Sequence, residues 1–211
     1  MIDRFFEGVG RLKVFNDGKG LELFIHSDTE VKVKEMIDRL NIDGAYTAIA
    51  IGGAKWTKQI PMELCVDYIN KSKEPIVLIG GEDVLEKSER IVEYSQRHIN
   101  NFVGNLTLQE SAVLLRQSRL VLSGDTGMMH IATVYQKPII VMYGSTSPIF
   151  GMYPYSERGD EHVKFLLPDH LSCWPCSKSG RNECPKEHAK CVYDWKAFDI
   201  LTQINKLTIR N

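Results

Sequence analysis

The sequence predicts an α/β protein built on a doubly wound, Rossmann-like parallel sheet, and three features lead to this prediction. From Ala45 onward, short apolar runs alternate with amphipathic segments of helical length. The runs are continuously apolar, which is typical of strands that are covered on both faces. Glycine follows each run, and the carboxyl ends of parallel strands are where such sheets bind ligands.

The first 24 residues precede this regular alternation. Residues 2–9 are predicted to form a short helix, and residues 16–20 a turn. Ser27 or Asp28 would then cap a helix that runs to about Leu40.

Five strand–helix repeats follow, and turn residues separate their elements. Pro61 is predicted to be the first residue of one helix, and Thr107 with Glu110 forms a capping box for another. Asp194 is expected to cap a final helix. The predicted strands are residues 45–51, 75–79, 101–103, 120–122 and 139–143, with 163–167 as a candidate sixth.

Composition and charge exclude several classes of protein. Apolar residues make up 43% of the chain, which is enough for a globular core. A net charge of −1 argues against binding to nucleic acid or to an anionic membrane surface. The first residues do not form a signal peptide, and no apolar run is long enough to span a bilayer. We therefore expect a cytoplasmic protein, with a peripheral position at the inner face of the cytoplasmic membrane left open.

The stretch SGDTGMMHIAT, residues 123–133, is the most informative part of the chain. It joins a buried strand to a helix, and Asp125 or Thr126 can cap that helix. Gly127 would let a ligand approach the backbone N–H groups, and His130 lies one turn further on the same face as Thr126. This arrangement predicts an anion site, most simply for a phosphate. The alternative is an ordinary helix cap with an unrelated histidine.

The loop GGAKWTKQIP, residues 52–61, follows the first strand and carries Gly53, Thr57 and two lysines. A diphosphate requires cations and N–H donors together, and Lys58 is the stronger candidate because it lies next to the helix start. The alternative is a solvated loop. It is neither a Walker A loop nor a GxGxxG fingerprint, which argues against NTPase and NAD-dependent oxidoreductase functions.

The sequence does not decide the roles of two further groups of residues, a pair of acids and the cysteines. Glu82 or Asp83 could accept hydrogen bonds from sugar hydroxyls, or could simply stabilise the helix dipole. Cys65 stands alone and is predicted to fill the core. The other cysteines, with His188 nearby, could hold a structural zinc ion, remain reduced or form disulfides. These four are Cys173, Cys176, Cys184 and Cys191.

Six motifs between residues 46 and 192 match one known family when they are taken together. They are GGAKWTKQIP, LIGGED, VGNLTLQES, SGDTGMMHIA, YGSTSPIFGMYPY and CWPCSKSGRNECPKEHAKC. With them, residues 46–192 resemble the donor-sugar domain of glycosyltransferase family 9, the ADP-heptose:lipopolysaccharide heptosyltransferases. The resemblance implies the C-terminal half of a GT-B fold and an inverting, metal-independent transfer from a nucleotide-diphosphate sugar, with an ADP-sugar favoured. It also implies an acceptor in lipopolysaccharide or another surface glycan.

The resemblance also implies roles for individual residues. Lys58 and the N–H groups of Thr126 and Gly127 would stabilise the leaving diphosphate, while Asp125 and His130 would shape the same pocket. Glu82 would contact donor hydroxyls. Residues 104–108 would border the nucleotide base, among them Gly104, Leu106 and Thr107.

The expected organisation has four parts. Residues 1–24 resemble the end of an acceptor-binding domain, 25–167 form the donor domain, 168–192 a cysteine-rich loop and 193–211 a C-terminal helix. The general base of the family lies in the acceptor-binding domain, and no residue of this chain is assigned to that role. We therefore expect a donor-binding half, with a non-catalytic nucleotide-sugar-binding or assembly module as the alternative. An apolar stripe on the last helix, Trp195, Phe198 and Leu201, suggests self-association.

Overall fold

The computed structural model, which describes residues 2–40, 42, 46–156 and 161–207, contains one sheet of six parallel strands. The strands are β1 (Thr47–Ala50), β2 (Ile76–Ile79), β3 (Asn100–Asn101), β4 (Leu120–Gly124), β5 (Ile139–Met142) and β6 (Val163–Leu166). Their order across the sheet is β3-β2-β1-β4-β5-β6. The chain therefore builds one half outward from β1 and then crosses back to start the other half at β4, which confirms the doubly wound fold.

Helices connect the strands and also flank the sheet at both ends of the chain. They are α1 (Ile2–Val9), α2 (Ser27–Leu40), α3 (Met62–Lys71), α4 (Leu85–Tyr94), α5 (Leu108–Gln117), α6 (Gly127–Val134), α7 (Lys190–Tyr193) and α8 (Ala197–Ile204). A single 3₁₀ turn, Glu82–Val84, leads into α4. Pro61 occupies the N-cap of α3 and is therefore one position outside the helix that it was predicted to begin. Met1, Ala45 and residues 208–211, which belong to predicted elements, lie outside the described residues.

Two apolar layers cover the two faces of the sheet. Because successive strand residues point to opposite faces, Ala48 contributes to one layer and Ile49 to the other, and both are fully buried. The first layer contains α3, α4 and α8, and the second contains α2, α5 and α6. Cys65 lies 1% exposed within the first layer, as predicted.

Two helix starts show how well caps are predicted by the sequence. The capping box of α5 is present: Glu110 N–H donates to Thr107 Oγ1 at 3.3 Å, and Thr107 N–H donates to Glu110 Oε2 at 2.7 Å. The prediction that Asp194 caps the last helix is wrong. Helix α8 begins at Ala197, whose N–H donates to Asp67 Oδ2 at 2.8 Å. A carboxylate from α3 therefore satisfies this helix start.

The predicted apolar stripe of the last helix is largely core. Trp195 and Leu201 pack against the first apolar layer, and only Phe198 remains 72% exposed. Exposed large apolar side chains are more frequent in the N-terminal segment, where Phe15 and Phe24 are 71% and 83% exposed. Among the described residues, no helix combines the length and the apolar character that crossing a membrane requires.

Candidate anion-binding site

A cavity of about 400 Å³ opens at the carboxyl edge of the sheet. The loops that follow β1, β2 and β4 form its walls, and Met152, in the segment after β5, closes one side. Strands β1 and β4 are neighbours in the sheet but are distant in sequence, so the cavity lies where the direction of strand addition reverses. Doubly wound sheets bind their ligands at this position.

The N-terminus of α6 forms one wall of the cavity. Thr126 is its N-cap residue but provides no side-chain cap, because its hydroxyl pairs with Ser123 Oγ at 3.2 Å. Gly127 follows, and a Cβ added there would meet nothing within 4 Å. The first N–H groups of α6 are thus open to the cavity, and the positive end of the helix dipole faces it.

Lys58 and Asp125 form a mostly buried ion pair at the base of the cavity. Lys58 Nζ lies 3.2 Å from Asp125 Oδ2, and the two side chains are 16% and 2% exposed. The angles at this contact are not those of a hydrogen bond, and within the described part of the chain Oδ2 has no hydrogen-bond partner. Burial of an unpaired carboxylate is costly, so the lysine is held here by charge. Its N–H groups remain available to an anion in the cavity.

Two glycines let the lysine loop approach the sheet closely. A Cβ on Gly124 would lie 1.8 Å from the carbonyl oxygen of Lys58, and one on Gly144 would lie 2.1 Å from that of Thr57. Any side chain larger than hydrogen would therefore push the loop away from the strand ends. These glycines at strand ends make room for the loop, whereas Gly127 makes room for a ligand.

A half-buried lysine supports the same loop from the other side. Lys87 Nζ on α4 donates to Ile51 O at 3.2 Å and to Gln59 Oε1 at 3.1 Å. Gln59 Nε2 in turn donates to Gly53 O at 2.9 Å. Burial lowers the pKa of Lys87. These bonds join the start and the end of the loop, which fixes the path of the residues between them.

His130 lines the cavity one turn into α6. Burial lowers the pKa of its imidazole, the charge of Asp125 opposes this effect, and the charge of Lys58 adds to it. The neutral form is therefore favoured, so His130 contributes a hydrogen-bonding group to the free site rather than a second full positive charge.

The structure brings about half of the predicted site residues together. The six that line the cavity are Gly53, Lys58, Asp125, Thr126, Gly127 and His130. Five others lie outside the lining: Thr57, Glu82, Gly104, Leu106 and Thr107.

Each of these five has an observed environment of its own. Glu82 is exposed beside Gly104, where an added Cβ would lie 3.6 Å from Glu82 Cγ. Leu106 packs against the second apolar layer, and the hydroxyl of Thr107 caps α5. The hydroxyl of Thr57 is buried beneath the loop.

The sequence left Glu82 and Asp83 as alternatives, and Asp83 is the one that lines the cavity, from the turn after β2. Met128 and Met152, which were not predicted, supply apolar surface. The motif LIGGED marked the correct turn but does not distinguish its two acids. Lys87 carries no sequence signal, because a lysine on a helix is ordinarily solvated.

The cysteine-rich segment packs against the edge of the sheet beside the site. All four of its cysteines are free, and Cys173 Sγ lies 3.6 Å from His188 Nε2. Burial, and after it the charges of the other three cysteines, raise the pKa of the Cys191 thiol to about 11. As they stand, no three His, Cys, Asp or Glu side chains in the described ranges are arranged to hold a metal ion.

The fold and this cavity together define a Rossmann-like domain with a candidate anion site at its switch point, and comparison with known proteins identifies the family within that class of domain. Residues 25–185 match the family model described as glycosyltransferase family 9 (heptosyltransferase). The chain therefore belongs to glycosyltransferase family 9.

Individual relatives are distant in sequence. Lipooligosaccharide heptosyltransferase 2 of Campylobacter jejuni is 23% identical over 169 residues, which cover 78% of this chain and 51% of the relative. A family 9 glycosyltransferase structure from Veillonella parvula superposes with a TM-score of 0.78 at 20% identity, over 96% of this chain and 58% of that one. The chain thus spans about half the length of the curated relative that it matches.

One solved neighbour contains a donor analogue. The Escherichia coli heptosyltransferase WaaC with ADP-2-deoxy-2-fluoro heptose superposes with a TM-score of 0.53 at 19% identity, over 82% of this chain and 47% of that one. Coverage of this extent is what one of the two Rossmann-like domains of a GT-B enzyme would produce.

Gly124 and Gly127 provide a matched pair of variants. We expect Gly124→Ala to lower the free energy of unfolding by about 2 kcal/mol or more, because the new Cβ overlaps the carbonyl of Lys58. At Gly127 an added Cβ would meet open space, so Gly127→Ala should change the free energy of unfolding by less than about 1 kcal/mol. Urea denaturation measures both, and equal losses would contradict the close approach of the loop.

The lowered pKa of His130 predicts a pH dependence of stability. The unfolded state binds more protons between the folded pKa and the ordinary value of about 6.5, so stability is full above that range and is lost as the pH falls through it. His130→Gln should weaken the fall in melting temperature between pH 7.5 and 5.5. If melting temperature falls with pH as steeply in His130→Gln as in the wild type, His130 is not the source of this pH dependence.

Proposed function

We propose that this chain binds a nucleotide-diphosphate sugar, with an ADP-sugar favoured, as the donor half of a heptosyltransferase-like, inverting and metal-independent glycosyltransferase. The observation that carries the proposal is the combination of the uncapped N-terminus of α6 and the ammonium of Lys58 at one cavity. A diphosphate requires both N–H donors and a cation. The ADP-heptose analogue in the WaaC structure supports the same ligand class.

The proposed chemistry is electrostatic stabilisation of the leaving group. An acceptor hydroxyl attacks the anomeric carbon, the bond from that carbon to the diphosphate oxygen breaks, and the hydroxyl proton passes to a general base. Charge then grows on the diphosphate, where Lys58 and the N–H groups of Thr126 and Gly127 would stabilise it. Asp125 would hold Lys58, and His130 would border the phosphates. We assign the base to an acceptor-binding domain, as the family resemblance implies.

The rest of the donor would extend over the adjoining loops. Asp83 lines the cavity and is placed to accept hydrogen bonds from sugar or ribose hydroxyls, and Glu82 extends that acidic rim next to Gly104. We propose that the nucleotide base of the donor lies toward Gly104. Leu106 and Thr107 would then support the residues that border the nucleotide base from behind.

A second candidate function is a nucleotide-sugar-binding or assembly module without transfer, which would use the same cavity but no general base. Both functions require donor binding. Donor turnover, assayed with the chain alone and with an acceptor-binding domain and a glycan acceptor added, separates them. Transfer that appears only with the added domain supports the donor half of an enzyme. No transfer with a competent domain would support the binding module.

The proposal extends to location and partners. A chain that uses an ADP-sugar would act in the cytoplasm, and a lipopolysaccharide or glycan acceptor would bring it to the inner face of the cytoplasmic membrane. The exposed Phe15, Phe24 and Phe198 are candidates for contact with a further domain or a second copy.

Substitution of Lys58 tests the donor site. Lys58→Met keeps the aliphatic stem but removes the charge, and we expect ADP affinity to fall by one to two orders of magnitude, which is about the contribution of a charge-assisted hydrogen bond. Isothermal titration calorimetry measures this. Lys55→Met, three residues earlier and outside the cavity lining, is the matched control. If Lys58→Met and the wild type bind ADP with equal affinity, Lys58 does not contribute to the donor site.

The four cysteines and His188 supply a donor set that suits a structural metal ion. Thiolate-rich sites favour zinc, or iron in a tetrahedral thiolate environment. We propose that Cys173, Cys176, Cys184 and Cys191, which are not arranged around a metal ion as they stand, would turn their thiolates toward a zinc ion whose role is to hold the segment together. Elemental analysis of protein purified without added metal should then give about one equivalent of zinc or iron. A content below a third of an equivalent, equal to that of a Cys176→Ser variant, would refute this site.

A further inference from the structure

The hydroxyl of Thr57 joins three separate parts of the chain. It donates to Arg181 O at 2.9 Å, and it accepts from Arg181 N–H at 2.9 Å and from Ser145 Oγ at 2.8 Å. A hydroxyl offers one donor and two acceptor positions, so its whole capacity is used. Thr57 is 2% exposed, and its neighbour in sequence is Lys58. The fully bonded side chain thus lies directly before the cation of the site.

The part of the cysteine-rich segment that Thr57 contacts is itself firmly attached. The N–H groups of Cys176 and Ser177 both donate to Ser145 O at 3.1 Å. The Arg181 guanidinium then closes residues 176–181 into a loop, because its Nε and Nη2 donate to Cys176 O at 3.2 and 3.0 Å. This loop, which we call the 176–181 loop, is anchored on the end of the sheet and on Thr57 together.

Gly180 of the 176–181 loop contacts the side chain of Lys58. An added Cβ there would lie 2.7 Å from Lys58 Cδ and 2.9 Å from Lys58 Cγ, so the aliphatic stem runs directly across the glycine. Its φ of +92° also favours glycine. The stem is therefore confined by Gly180 on one side while Asp125 attracts the ammonium group at its end.

We propose that Thr57 is a positioning residue for Lys58, and that it acts together with the 176–181 loop to fix the direction in which the ammonium group enters the cavity. Thr57 itself does not contact the ligand, since its hydroxyl is already saturated and it lies outside the cavity lining. The inference rests on the proposed function only for the identity of the ligand. The positioning of Lys58 is a property of the free protein.

Chemical labelling of lysines tests the positioning without any ligand. The Lys58 side chain is 16% exposed, so acetic anhydride should label it slowly relative to Lys71, whose side chain is 54% exposed. In Thr57→Val and in Gly180→Ala we expect the Lys58/Lys71 ratio, read by mass spectrometry, to rise about threefold or more as the loop opens locally. Thr57→Ser keeps the hydroxyl and should behave as wild type.

A matched glycine and a melting curve serve as controls. Gly18 also has a positive φ, but an added Cβ would meet nothing within 4 Å, so Gly18→Ala should leave the labelling of Lys58 unchanged. Circular dichroism melting identifies any variant that fails to fold, and Gly180→Ala provides a second route if Thr57→Val is such a variant. Unchanged Lys58 labelling in both folded variants would overturn the proposal.

A double-mutant cycle on ADP affinity distinguishes positioning from general support. We expect Thr57→Val to weaken ADP binding about tenfold in the wild-type background and by less than about twofold in Lys58→Met, because it acts through a group that is then absent. Equal, additive losses in the two backgrounds would mean that Thr57 does not act through Lys58 and would overturn the proposal. If the wild-type protein does not bind ADP, the proposed function is refuted. The labelling experiment alone then decides whether Thr57 positions Lys58.

Discussion

The arrangement of this site depends on the contact between Lys58 and Asp125. Asp125 lies at the end of β4 and is almost completely buried, so its charge must be compensated by the protein. In the described part of the chain, the loop after β1 is the one that brings a cation to it, and that loop must cross the ends of β4 and β5 to do so. The close approaches at Gly124 and Gly144 and the bonds from Lys87 are consequences of this path. The ion pair thus places a positive charge beside the open end of α6.

The parts of the fold that could be predicted are those that depend on local sequence. Continuous apolar runs identified five of the six strands, whereas β3, predicted at residues 101–103, is Asn100–Asn101 and has no apolar run of its own. The Thr107 capping box was visible because both partners lie within one turn. The failed cap at Asp194 has in part the opposite cause. The start of α8 is satisfied by Asp199, within its own first turn, and by Asp67, which is distant in sequence and leaves no local signal.

The same distinction applies to the site. The Asp125–His130 turn could be identified because a strand, a cap position and a glycine are consecutive. The choice of Asp83 over Glu82 depends on the phase of a short 3₁₀ turn, which a pair of adjacent acids does not specify. Lys87 could not be found at all, since its importance arises from Gln59 and Ile51 on another segment. Long-range contacts of this kind carry no signature within a single stretch of sequence.

The contact between Thr57 and Arg181 has a consequence for how the protein matures. The core strands are complete by β6, yet the lysine loop reaches its final support only when a residue more than a hundred positions later is in place. Contacts of such sequence separation form late, because the entropy of closing a long loop opposes them. During synthesis the last strand, β6, leaves the ribosome before the 176–181 loop does. The ordering of the lysine loop would therefore follow the pairing of the strands.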